Sequence, residues 1–507
     1  MGTKQFDNYA DLITFTRASG GTALRPISYG SELVTNGTFD SDSDWTKEGT
    51  WAIAAGVASH GLGNNHDLYQ QVNMIAGNTY IISFDIANRS VGTVSVRYNG
   101  NVILSGQPSG SPSFTFTADA TNLNLEFRAL NNFDGDIDNI SVKEILFDQP
   151  NAPLTLFNHP TNTPRIEYDA DGTRLGLLVE EQRTNLLTYS EDFSTGQWSN
   201  RNVTLTTGQA SPDGQNSATL VTSSTTDVAN GLNITGFSGS TGLTYSCFAK
   251  KGSTNWLSIN PVSGVVAYFD LDNGVKGTAT GCVSEIQDVG NGWYRCSAYL
   301  AGAFGSNGRL VVSDSDNTQN ATTGNSIYIW GAQIEAGSFP TSYIPTSGST
   351  ATRAADVASI PTSAFGYNAS EGTVVAEYEN TQNEKSGFIW SLEDGTSDER
   401  IYGIQRVNQA GSFAVTDNGS TQADITSGSG SLSQPLKIAS AYKINDFAHY
   451  LSGSQVGTDS SGAIPSVNSL YIGLSSATPD FPRNGHIKSI KYYPRRLTNA
   501  QLVELTS

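Results

Sequence analysis

Short apolar runs that alternate with polar residues, each closed by Gly, Asn-Gly or Asp-Gly, fill this sequence from end to end. Tyr80, Ile82, Phe84 and Ile86 recur at every second position, as do Val94, Val96 and Tyr98, and Leu123, Leu125 and Phe127. That spacing suits the pleat of a strand and not the 3.6-residue turn of a helix. A chain made of such runs buries its apolar faces only by stacking sheets, so the expected fold is all-β, built of β-sandwiches. At 507 residues it is long enough for several domains, each with its own core. The 10% aromatic content can fill those cores. Charged residues are only 15%, against about 25% in an average soluble protein.

The runs fall into blocks. Residues 32–145 hold about eight candidate strands, the size of a jelly roll. Residues 186–345 repeat the plan: Phe193 and Trp198 stand where the first block has Phe39 and Trp45. LTYSCFAKKG (Leu243 to Gly252) corresponds to NTYIISFDIA (Asn78 to Ala87). Residues 346–351 form a Ser/Gly/Thr-rich linker after Pro345, and residues 352–507 form a third β-block. That block ends in a short helix, where Thr498 and Gln501 form a capping box and Leu502 and Leu505 dock it. Residues 1–31 and 146–185 flank the first block and are expected to close on each other as a joint, with 32–145 inserted between them. Within the joint Asp171-Gly172 supplies the turn of a hairpin whose return strand carries Leu175, Leu177, Leu178 and Val179.

Composition excludes several roles. A formal net charge of −19 is opposite to what phosphate binding requires, so no nucleic-acid partner is expected. No basic region followed by an apolar run opens the chain, and no stretch of 18 apolar residues occurs, so neither a secretory signal nor membrane insertion is expected. Cys247, Cys282 and Cys296 are an odd set without metal-ligand spacing.

Five segments carry a resemblance: FTRASGG (Phe15 to Gly21), TPRIEYD (Thr163 to Asp169), GLLVEEQRTNLLTYSEDF (Gly176 to Phe193), YIWGAQIEAGSFPTSYIPTSGSTATRAADV (Tyr328 to Val357) and GHIKSIKYYPRRLTNAQL (Gly485 to Leu502). Together they resemble bacteriophage and prophage tail-fibre or virion adhesin proteins. The resemblance implies tandem jelly rolls of the carbohydrate-binding-module type and a concanavalin A-like or laminin-G-like C-terminal sandwich. It also implies a virion location, other virion proteins as partners, host surface polysaccharide as ligand and a homotrimer. A structural Ca²⁺ in the first jelly roll would be held by Asp40 and Asp138, with Asp134 and Asp136 nearby at the spacing hard cations favour. A purely structural decoration protein and a capsular polysaccharide depolymerase are the alternatives.

Sugar recognition uses an aromatic face with polar side chains around it. The candidates are Trp51, His66 and Tyr98 in the first block, Trp256 in the second, and Trp390 and Tyr402 in the third. Trp45, Trp198, Trp293 and Trp330 are assigned to cores. Hydrolysis of a glycan requires two opposed carboxylates. Glu377 and Glu379 lack the remaining spacing of the strand motif found in concanavalin-like hydrolases, and the five scattered His form no metal site. No enzymatic activity is therefore expected.

Overall fold

The computed structural model describes residues 13–237, 239–305, 308–379, 386–428, 435–476 and 483–507. These fall into two compact units, one made of Pro26–Pro153 and the other of the remaining described residues. Both are built of antiparallel sheets, and a single α-helix, Asn499–Thr506, occurs among the described residues.

Pro26–Pro153 is organised on two long strands, Thr79–Tyr98 and Asn124–Phe147, paired from Leu125↔Tyr98 to Glu144↔Tyr80. Each had been expected as two separate strands. The chain instead bends without breaking: the register shifts between Leu130 and Asp134, where Asn131 and Asn132 take φ of 56° and 59°. Such bulges let one strand serve two packed layers. Asp67–Gln71 pairs with the first half of Asn124–Phe147 and Val57–His60 with the second. The alternating apolar residues meet inside, with Ile82, Val94, Val96, Leu125 and Phe127 wholly buried.

In the other unit the first sandwich has two six-stranded sheets. One runs, edge to edge, Trp198–Arg201, Gly231–Ile234, Gly308–Ser313, Trp256–Val262, Val265–Asp270 and Val275–Thr280. The other runs Val203–Gln209, Ala218–Ser223, Ser326–Ala336, Thr241–Lys251, Trp293–Ala303 and Val283–Asp288. The repeat read in the sequence has a geometric counterpart. Phe193 and Trp198 rings lie 5.0 Å apart, as Phe39 and Trp45 do at 5.6 Å, and each indole N–H donates to a backbone carbonyl.

The last sandwich has two seven-stranded sheets, and residues assigned to the joint form their edges. Thr14–Thr16 pairs with Val357–Pro361, and the hairpin Ile166–Tyr168/Arg174–Val179 pairs with Gly485–Tyr493. Asp169 shapes the hairpin turn by accepting from the N–H groups of Asp171 and Thr173, while Gly172 supplies φ +79°. Phe15 and Val179 thus pack in the same core as Trp390 and Ile438.

Where these two sandwiches meet, the shared motifs converge as buried charge. Asp356 faces Arg17 and Arg165, while Glu180 lies 2.8 Å from Arg165 and 3.5 Å from Arg353. Backbone carbonyls of Ser19, Thr163 and Pro160 accept further N–H groups of Arg17, and Ser342 donates twice to Glu180. Three guanidinium groups and two carboxylates are stable out of water only because nearly every donor and acceptor is matched. The most recognisable stretches of the sequence therefore build a structural lock.

Candidate functional site

In the sheet that begins with Trp198–Arg201, Leu232, Ile234, Leu257, Ile259, Leu310 and Val312 point into the core. Alternation then puts Arg201, Asn233, Arg309, Trp256, Ser258, Asn260 and Tyr268 on its outer face. Strand register aligns them. Ser199, Asn233, Arg309 and Asn260 form one cross-strand row, and Arg201, Gly231, Val311, Ser258 and Tyr268 form the next.

Although this face is turned away from the core, Ser258, Tyr268 and Asn260 are 0%, 3% and 5% exposed. The segment after Ser313 returns over them: the Ala229 N–H donates to the Gln319 carbonyl at 2.8 Å, and the Gln319 side chain bonds the Tyr268 hydroxyl. Burial pushes the Tyr268 phenol above its ordinary pKa, so it stays a neutral donor. Beside this cover lies a pocket of about 170 Å³ walled by Asn260, Val262, Gly264, Gly305, Arg309 and Gln319. It is smaller than the roughly 300 Å³ at which pockets for drug-sized ligands begin, so it suits one small polar unit. Arg309 Nε and Asn233 Oδ1 are both buried without a hydrogen-bond partner. Two such atoms in one row leave hydrogen-bonding capacity that a ligand or water can take up. Carboxamides, a hydroxyl and a guanidinium side by side match the mixed donors and acceptors of a sugar ring.

Of the aromatics singled out from the sequence, Trp256 lies on this face. It is half-buried, and a Cβ on Gly277 would come within 2.6 Å of its ring. Tyr402 is also half-buried, under the Arg400 guanidinium at 4.8 Å and beside Phe388. Three of the others are closed to a ligand, while His66 is half-buried like Trp256. Trp51, Tyr98 and Trp390 are 5%, 0% and 0% exposed and belong to cores. Their faces follow from strand parity, which points Tyr98 inward with Val94 and Val96. The His66 ring packs so tightly over Gly49 that a Cβ there would lie 2.0 Å from Nδ1. Arg309, Asn233 and Asn260 escaped the sequence reading. The only signal was the parity of GRLVVS, which sets Arg309 opposite to Leu310.

The expected calcium ligands take part in local hydrogen bonds. The Asp40 loop does dock on the last strand, through the Ile140 N–H to the Gly37 carbonyl at 2.9 Å. Yet Asp40 accepts from Thr38, Asp138 from the Asn139 N–H, Asp134 from Ser90, and Asp136 from Ser59 and Asn88. Among the described residues no three His, Cys, Asp or Glu gather as a metal shell. Glu377 and Glu379 are likewise occupied, by Lys488 at 3.0 Å and His486 at 3.4 Å.

Sheet topology and strand register define an all-β protein of tandem β-sandwiches with one short terminal helix. No protein-family model matches the chain, and no curated protein matches it in sequence. Among solved structures it is similar to the CBM40 module of a Ruminococcus gnavus IT-sialidase bound to sialyllactose, at 17% identity over 28% of this chain and 84% of that one, with a TM-score of 0.25. It is similar to domains LG4-5 of the mouse laminin α1 chain at 12% identity, over 66% of this chain and 95% of that one, with a TM-score of 0.21. A Trypanosoma rangeli sialidase aligns at 10% identity over 95% of this chain and 93% of that one, with a TM-score of 0.25. That last likeness removes the ground for reading the chain as devoid of catalysis, and the expectation of no enzymatic activity is withdrawn. Likenesses this distant assign neither activity nor ligand, and the fold rests on the strand register itself.

Proposed function

We propose that this chain is a receptor-binding adhesin or tail fibre of a bacteriophage virion, holding host surface polysaccharide on the outer face of the Trp198–Thr280 sheet. The observation that carries the reading is the polar row Asn233–Arg309–Asn260 with its two orphaned buried atoms beside a small pocket. A pocket for one sugar unit binds weakly by itself. Several copies on one particle, as in a homotrimer mounted on other virion proteins, raise retention through effective concentration. The motif resemblance supplies the virion context.

The test is a host polysaccharide array probed with purified protein, alongside antibody labelling of intact particles. Retention of host polysaccharide that falls with Asn260→Ala, and label on the outside of the particle, are the expected results. External label with no polysaccharide bound would favour a decoration protein instead.

A further inference from the structure

We infer that the pocket selects a sugar carrying a carboxylate, with the Arg309 guanidinium as the group that reads it; this rests on the glycan-binding proposal above. The chain carries 47 Asp and Glu against 28 Lys and Arg, so an arginine has many acids available as partners. The buried arginines of the lock, and Arg97, Arg183 and Arg406 elsewhere, are matched to carboxylates, while Arg295 and Arg483 rest on neutral oxygens of the protein. No carboxylate pairs with Arg309 among the described residues, and its Nε is buried without a hydrogen bond. Its cross-strand neighbours are Asn233 and Asn260, neutral carboxamides that leave its charge uncompensated.

Arg201 repeats the pattern in the adjacent row. Its Nε is also buried and unpartnered, and its direct neighbour Gly231 offers no side chain to cover it. From strand spacing and rise, the Arg201 and Arg309 Cα atoms lie roughly 12 Å apart across one intervening strand. At the Arg201–Arg309 end of this face two unmatched cations can draw in an anion, while the Asp316 carboxylate lies towards Tyr268 and Trp256. A guanidinium accepts a carboxylate through two parallel N–H···O bonds, which fixes the sugar's orientation as well as its charge. The flanking carboxamides and the Tyr268–Gln319 pair then serve the ring hydroxyls.

The experiment uses the whole protein on an array of uronic-acid and other carboxylate-bearing polysaccharides. Each is printed beside its carboxyl-reduced form and beside sulfated and phosphorylated neutral glycans. Carboxyl reduction is expected to weaken binding about tenfold or more, as is Arg309→Gln. Asn260→Asp, which sets a negative charge directly opposite Arg309, is expected to abolish acidic-glycan binding per folded molecule, the folded fraction being read from its melting curve. Equal binding to the acidic and carboxyl-reduced forms, or preference for sulfated or phosphorylated glycans, overturns the inference and leaves the adhesin reading standing. Unaltered binding by both variants overturns the assignment to this pocket. Wild-type protein that binds no glycan of any kind overturns the adhesin reading itself.

Discussion

Arg17 and Asp356 are 339 positions apart in the chain, yet Arg17 Nη1 lies 3.0 Å from Asp356 Oδ1 with both side chains fully buried. Asp356 also accepts from Arg165 and from the Glu180 N–H. Removing that one carboxylate leaves the buried Arg17 with no carboxylate partner and Arg165 with Glu180 alone. Asp356→Asn is therefore expected to lower stability by about 3–5 kcal/mol, measured by guanidinium denaturation. A loss below 1 kcal/mol would mean that water or a neighbouring carbonyl replaces it.

Acid should loosen the same lock. Burial alone would raise the Glu180 carboxyl, but Arg353 and Arg165, with hydrogen bonds from Ser342, hold it well below its ordinary 4.5. A depressed acid contributes stability that is present above its unfolded pKa and lost as pH falls below it. Melting temperature is expected to drop progressively below pH 4.5, and Glu180→Gln should be less stable at neutral pH with a shallower acid limb.

His486 works in the opposite direction. Burial favours its neutral form, but Glu167 at 2.7 Å and Glu379 outweigh it and raise its pKa from 6.5 to about 9. A raised cation stabilises fully below the unfolded pKa and loses its contribution as pH climbs through the folded one. Between pH 6.5 and about 9 the last sandwich should lose roughly 3 kcal/mol. Thermal melts across that window should show the decline, and His486→Gln should flatten it.

Two tryptophans should separate cleanly. Trp390 is wholly buried, so Trp390→Ala should cost about 3–5 kcal/mol while leaving glycan retention per folded molecule unchanged. Trp256→Ala, a half-buried side chain on the outer face, should lower glycan retention, and should lower stability by much less than Trp390→Ala. Denaturation and array binding of both variants check the pair.

The terminal helix gives a smaller, local test. The Thr498 side chain accepts from the Gln501 N–H and the Gln501 side chain answers at the Thr498 N–H. Thr498→Ala should cost about 1 kcal/mol, seen as earlier fraying of amide protection in Asn499–Thr506.

That capping box was legible in the sequence because its partners are three residues apart. Gly387–Glu393 and Leu436–Lys443 were also legible, since apolar strands announce themselves. Ser412–Asp417, Ser420–Thr426 and Ser454–Asp459 were not, because strands rich in Ser, Thr and Asp resemble loops in composition. Residue type also misled: Trp51, Tyr98 and Trp390 were chosen as aromatics, whereas the direction a side chain points is set by parity along its strand. The pocket was hardest to see. Asn233, Asn260 and Arg309 sit on three strands, and only the pairing register lines them up.

The last sandwich takes its edge strands from Thr14–Thr16 and from Ile166–Val179, and the partner of the latter is Gly485–Tyr493. During synthesis the early strands leave the ribosome long before the strand that receives them. Thr14–Thr16 waits for Val357–Pro361, and the hairpin stays an open edge until Gly485–Tyr493 has emerged to pair with it. A translation product stopped early would keep those edges bare and remain a target for proteases and chaperones, so only chains carried past Tyr493 would mature.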